Sequence, residues 1–328
     1  QENAEMNLMA EQIFTARNIA RVLQEAIPSE FYLATIASDR FNGRHLSDNK
    51  FNGEGFFDGK KRSLWKSVRW TQSYAKNHIS HRDKIFAGMI GFNFSNFDDK
   101  FFGIFVGFSD ADINCTGQNS GTSGQQSGVN VGAYGAIALS DEFAVSYSSM
   151  IWYARFRCDQ NLKNADYGPR NLRAHSKYYG ISYFNKLSLM YAFQSGRYTF
   201  YPEISLHFDW VGQSTHDVKV GEETLFRRTG VRGFYVSYEI GMRCRAVGWR
   251  GHRGIYPDIF VGYEFDMSRH GASLQQDIPE TRRMDHLVTK IGLILHLSNK
   301  LCANAWYIGN YNKNFGLSGV SMGITYNF

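Results

Sequence analysis

From about Lys61 onward the sequence repeats with a period of two, and no feature restricts the possible folds more. Successive side chains of an extended strand point to opposite faces, so such a repeat sorts residues into two environments. Across Glu203 to Trp210, Ile204, Leu206, Phe208 and Trp210 share one face, while Glu203, Ser205, His207 and Asp209 share the other. Between Phe234 and Arg245 the set Phe234, Val236, Tyr238, Ile240, Met242 and Cys244 opposes Tyr235, Ser237, Glu239, Gly241, Arg243 and Arg245. Asn130 to Ser140 and Asp258 to Asp266 divide in the same way. Each stretch has one apolar face and one face rich in charges and glycines.

Continued along the chain, this reading predicts about twelve strands, near 63–75, 84–95, 100–112, 128–140, 143–157, 178–193, 198–212, 233–247, 255–267, 286–298, 301–312 and 317–328. The first two are the least regular, because Trp65 to Tyr74 carries Lys66 and Arg69 and alternates poorly. Most exceed the common globular strand and reach the roughly 9 to 11 residues that cross a bilayer. Connections alternate in length. Phe97 to Asp99, Ser140 to Glu142, Gln194 to Arg197 and Ser298 to Lys300 are tight, whereas Asn114 to Ser127, Asp159 to Lys177, Gln213 to Arg232 and Ser268 to Asp285 are long and polar. A transmembrane β-barrel shows this asymmetry, with short turns at one rim and long loops at the other. A soluble β-sandwich also alternates, but it has no reason to carry ionisable residues at nearly every inward position.

Composition agrees. There are 19 Tyr, 26 Phe and 32 Gly against 5 Pro, which suits strands that pair on both edges, since proline removes a ladder donor. The mean hydropathy of −0.37 does not argue against a membrane, because only alternate residues of a barrel strand meet lipid. The net charge of +6 is spread without a dense Lys/Arg block, so nucleic acid is not an expected partner. The sequence begins with Gln1 and carries no signal-peptide core, which for an exported protein implies a mature or excised fragment.

The expected domains are residues 1–60, a helical linker or plug, and residues 61–328, the barrel. Residues 4–27 read as an amphipathic helix: Met9, Ile13, Ala16, Ile19, Ala20, Leu23 and Ile27 recur at three- and four-residue steps, and Pro28 ends it. Asn49 to Lys61 reads as a flexible link. In the final segment Ser321, Gly323, Tyr326 and Phe328 resemble the terminal signal by which outer-membrane barrels are taken up by the β-barrel assembly machinery. An exposed strand edge ending in an aromatic can dock by β-augmentation.

Taken together, residues 60 to 328 resemble the β-domain of autotransporters, the translocators of type V secretion. The resemblance rests on Leu64, Trp65 and Lys66 opening the barrel, Gly132 to Gly135 (Gly-Ala-Tyr-Gly) before a tight turn, and the aromatic-rich Tyr147 to Tyr153. Tyr201-Pro202-Glu203 leading to Trp210, then Gly241 and Arg243, then Pro257 and the aromatic C-terminus complete it. The upstream Asn18-Ile19-Ala20 and Leu23 look like the helix linking passenger to barrel, although the distance from helix to first strand is longer than usual in that family. The resemblance implies a Gram-negative outer membrane with its lipid, an N-terminal passenger brought to the cell surface, and no enzymatic activity, cofactor or metal. It also implies lumen-facing charges holding the linker, with Glu203, Asp209, Glu239, Arg243, Arg245, Glu264 and Lys290 meeting Arg17, Arg21 and Glu25; charges pairing across the lumen are the plainer alternative.

Two other functions compete. A porin-like pore would need a clear lumen, and twelve strands make a small one. A surface hydrolase would need His216-Asp217 or Asp285-His286, beside the long loops, to activate water. No GxSxG nucleophile motif accompanies them. Cys115 and Cys158 fall on the loop side and are candidates for a disulfide, although one strand separates theirs, while Cys244 falls on the lipid side.

Overall fold

In a computed structural model of the chain, residues 19, 22–23, 62–75, 80–97, 100–116, 122–140, 142–162, 172–196, 198–230, 232–246, 255–267, 285–298, 300–313 and 315–328 are described. Among the described residues, fifteen strands form one antiparallel sheet. They are β1 (Ser63–Ala75), β2 (Ser80–Phe97), β3 (Lys100–Thr116), β4 (Ser123–Ala138), β5 (Phe143–Leu162), β6 (Leu172–Tyr191), β7 (Phe193–Ser195), β8 (Tyr198–Gln213), β9 (His216–Val220), β10 (Glu223–Arg228), β11 (Arg232–Ala246), β12 (Ile255–Asp266), β13 (His286–His296), β14 (Leu301–Tyr311) and β15 (Phe315–Asn327). β1 to β6 pair in sequence order, β6 pairs with β8, β8 with β11, β11 to β15 pair in order again, and β15 returns to β1. The sheet therefore closes as a barrel of twelve long strands, with β7, β9 and β10 as appendages at its rims. Closure leaves no unpaired edge in the barrel wall, which a hydrocarbon environment demands.

The outer face is apolar. Val131, Ile151 and Met322 keep 52%, 47% and 57% of their surface uncovered, which fits contact with lipid and no soluble packing. Aromatic rings bound this band at both ends. At the rim of short turns Phe94 stacks on Phe102, Phe143 meets Tyr191 and Phe193 stacks on Phe200; at the opposite rim Tyr153 stacks on Tyr179 and Tyr238 on Phe265. Two such girdles mark the two interfaces of a membrane barrel.

All twelve predicted strands are present, and three of the four long links are shorter or more structured than the sequence suggests. β3 continues to Thr116 and β4 begins at Ser123, β5 continues to Leu162 and β6 begins at Leu172, and the link after β8 contains the β9–β10 hairpin. Beyond the lipid band both faces meet water, so hydrogen-bonded ladders persist without an apolar face to announce them. The hairpin turns through Gly221 at φ +62°, a left-handed backbone that glycine adopts without strain. In β1 the irregular alternation resolves into a lumen phase of Trp65, Arg69 and Thr71 and an outer phase of Lys66, Val68 and Trp70.

Candidate functional site

The interior has two unlike walls. Along β1 to β5 it is aromatic: Trp65 lies 6.3 Å from Phe105 and 6.0 Å from Tyr134, and its indole N–H donates to the Tyr134 hydroxyl, which donates to Asn93. Glycines make this possible. A Cβ on Gly91 would stand 2.4 Å from the Trp65 ring.

Along β6, β8 and β11 to β13 the wall is charged, and strand register explains how. Cross-strand partners share a face, so Tyr201, Arg243, Phe260 and Lys290 form one row across β8, β11, β12 and β13. The Phe260 ring accepts Arg243 on one side at 5.4 Å and Lys290 on the other at 5.1 Å. In the next row Arg245 faces Asp258; its Nη2 and Nε donate to Oδ2 at 2.6 and 2.9 Å, while Arg243 Nη1 donates to Oδ1 at 3.3 Å. Further along, Glu203 takes Arg243 at 3.7 Å and Lys186 at 3.9 Å, and Lys186 also lies 3.6 Å from Glu239. Glu239 and Glu264 face each other directly, an opposition of like charges that costs stability unless cations flank it. Lys186 serves Glu239; His286, 3.2 Å away, and the Ser237 hydroxyl serve Glu264. Donor atoms of His207, Glu239 and Glu264 all lie within 4.8 Å of one another, a set able to ligate a divalent cation.

Every lumen candidate drawn from the sequence, Glu203, Asp209, Glu239, Arg243, Arg245, Glu264 and Lys290, is buried on the inner face. The structure adds Lys186, Asp258 and His286 to their network, and Arg69 on the opposite wall. Arg69 Nη1 donates to the carbonyl of Val22 at 3.1 Å. Val22, Ile19 and Leu23 are helical and fully buried. The helix candidates Arg17, Arg21 and Glu25 lie outside the described residues.

Several sequence expectations do not survive. His216 and Asp217 are neighbours in β9 and so point apart: the His216 ring stacks on Tyr178 at 4.5 Å, while Asp217 faces Arg227 at 3.8 Å. Asp285 accepts the backbone N–H of Asp266 at 2.8 Å while His286 turns inward to Glu264, so neither pair forms a hydrolytic couple. Cys115 and Cys158 are not bridged. They sit on β3 and β5 with β4 paired between them and are offset by two residues along the strands, so two strand spacings of roughly 9.5 Å are only the lateral part of a separation beyond the reach of about 7 Å between Cα atoms. Cys244 lies on the outer face as expected.

The sequence pattern of the autotransporter beta-domain family matches residues 68–277. The chain belongs to that family. Among solved structures, this β-domain is similar to the translocator domain of autotransporter NalP from Neisseria meningitidis, at 12% identity and TM-score 0.68, covering 90% of this chain and 98% of that one. It is also similar to the beta domain of the Bordetella autotransporter Brka (14%, TM-score 0.62, covering 82% and 100%) and to the transport unit of AIDA-I from Escherichia coli (17%, TM-score 0.56, covering 90% and 98%). At these identities the likeness is one of fold. No curated protein sequence matches the chain. The β-domain is thus a translocator-type outer-membrane barrel, and the porin and hydrolase readings gain no comparable support.

Proposed function

We propose that residues 61–328 anchor the protein in the outer membrane of a Gram-negative cell and serve as the route by which an N-terminal passenger reaches the surface, with residues 1–60 supplying a helical segment that occupies the lumen afterwards. One observation carries this reading: Ile19, Val22 and Leu23 are enclosed by the barrel, and Arg69, midway along β1, holds the Val22 carbonyl. A pore for small solutes gains nothing from such a contact, whereas a translocator retains the last segment it has passed.

The rim of short turns faces the periplasm and the β9–β10 hairpin faces outward, following the rule for such barrels. Ser321, Gly323, Tyr326 and Phe328 then present the last strand to the assembly machinery from the periplasmic side; Tyr326 and Phe328 point outward, Ser321 and Gly323 inward.

Single-channel recording of the intact chain and of a variant lacking residues 1–60 tests the plug. The intact chain is expected to show low, intermittent conductance, and the truncated one a steady open level. Equal, fully open conductance in both makes the barrel a pore and refutes the lumen segment.

A further inference from the structure

The outer face carries a second arrangement that translocation does not use. Just beyond the girdle at the loop rim, marked by Phe86 against Phe108 at 5.8 Å and Tyr153 on Tyr179 at 5.8 Å, the outward residues change from aromatic to charged. Two residues along β2, β5 and β6, roughly 7 Å of strand, bring Lys84, Arg155 and Lys177. Register then builds a single exposed row across five strands: Lys84 opposite Asp112, Asp112 opposite Gln125, Gln125 opposite Arg157, and Arg157 opposite Lys177. These residues, with Asn114, Ser123 and His175, line a groove of about 570 Å³.

The groove sets Lys84, Arg157 and Lys177 against Asp112 and Asp159, a balance of +1. Asp159 is engaged by Arg173 at 3.3 Å, and Asp112 lies opposite Lys84 at the far end of the row from Arg157 and Lys177. Among the described residues none of Lys84, Arg155, Arg157 and Lys177 makes an ion pair. Arg157 and Lys177 are directly opposed, with Cβ atoms about 5 Å apart, an arrangement that destabilises the sheet unless an anion sits between them. Arginine favours phosphate through its planar fork, and the adjacent amides and hydroxyls of Gln125, Asn114 and Ser123 match sugar hydroxyls.

We infer that this groove binds the phosphorylated sugar headgroup of an outer-leaflet glycolipid, with phosphate between Arg157 and Lys177 and the acyl chains lying down the apolar wall below Tyr153 and Tyr179. The inference rests on the outer-membrane reading, because only there does the loop rim meet such headgroups. Position selects the lipid over a free anion: the groove opens outward at the edge of the apolar band, where a headgroup arrives with its tails already on the protein. Barrel and glycolipid would thereby fix the height of the barrel in the membrane.

The test uses the full chain in detergent micelles and native mass spectrometry, with three probes: a bisphosphorylated disaccharide glycolipid, the same glycolipid dephosphorylated, and inorganic phosphate. The phosphorylated glycolipid is expected to bind about tenfold more tightly than the dephosphorylated one. That preference should vanish in a variant carrying both Arg157→Gln and Lys177→Gln, and persist in Lys300→Gln at the other rim. Equal binding of both glycolipids overturns the inference, as does a double variant with undiminished preference. Inorganic phosphate binding as tightly as the glycolipid overturns it too, leaving only a general anion site. The electrophoretic shift on heating, measured on the same samples, reports the folded membrane barrel. Its absence in the unmodified chain would refute the outer-membrane reading instead, and the wild-type preference stands whether or not the variant folds.

Discussion

Replacing Asp258 with alanine distinguishes a hydrated lumen wall from a dry one. Asp258 is completely buried and receives three hydrogen bonds from two guanidinium groups, at 2.6, 2.9 and 3.3 Å. Were water to reach Arg243 and Arg245, the loss would resemble that of surface pairs, about 0–1 kcal/mol. Side chains exposed by only 2% and 8% indicate otherwise. Removing one partner of a buried pair strands its charge at a cost of about 3–5 kcal/mol, and Glu203 retains Arg243, so we expect about 3 kcal/mol. Equilibrium unfolding by guanidinium in micelles, followed by tryptophan fluorescence, measures it. The double variant Asp258→Leu with Arg245→Met should lose less than Asp258→Ala alone, because no guanidinium is left directly opposite an apolar side chain. A loss below about 0.5 kcal/mol for Asp258→Ala, or a double variant worse than the single, would refute the claim that the wall excludes water.

Other consequences are equally direct. A Cβ on Gly241 would stand 2.3 Å from the Phe260 ring, so Gly241→Ala should destabilise by about 1–3 kcal/mol, with Phe260→Leu relieving most of it in a double-mutant cycle of unfolding midpoints. Phe328 donates its N–H to the Arg62 carbonyl at 2.9 Å and its ring meets Tyr326 and Phe92; Phe328→Ala should sharply reduce the heat-shifted form in membrane fractions at unchanged total expression. Burial against Tyr178 lowers the pKa of His216, outside the membrane band, below its ordinary 6.5. Its neutral form is therefore favoured by folding, the stabilisation is full above 6.5 and is lost as pH falls through the lowered value. Tryptic cleavage at Lys219 and Arg227 should quicken in acid, and an equal rate at all pH values would contradict this.

The features legible in the sequence are those where lipid imposes a rule. All twelve barrel strands and seven inner-wall charges followed from alternation, because an apolar residue is required at every second position only where hydrocarbon lies outside. Where water bathes both faces the rule lapses, which is why the extensions of β3 to β6 and the β9–β10 hairpin did not stand out. β1 was obscure for another reason: Trp65 faces the lumen and Lys66 the outside, so hydropathy alone inverts the phase. Lys186 was hidden because its phase, Tyr178, Phe184 and Met190, is as apolar as the opposite one; the run of serines at 176, 182 and 188 on that phase was the available clue. Arg69 marked itself only as an irregularity, and its partner Val22 is far away in sequence. The separation of Cys115 and Cys158 needed the register of three strands at once.

The seam between β1 and β15 joins Ser63 to Asn327 through thirteen residue pairs. Such a junction links opposite ends of the barrel sequence, so the ring cannot be sealed before the ribosome has nearly finished it. Whatever is enclosed, including the turn of chain around Val22, has to be inside before those pairs zip or be threaded afterwards through a finished hoop. Time order, in this molecule, is written into which two strands touch.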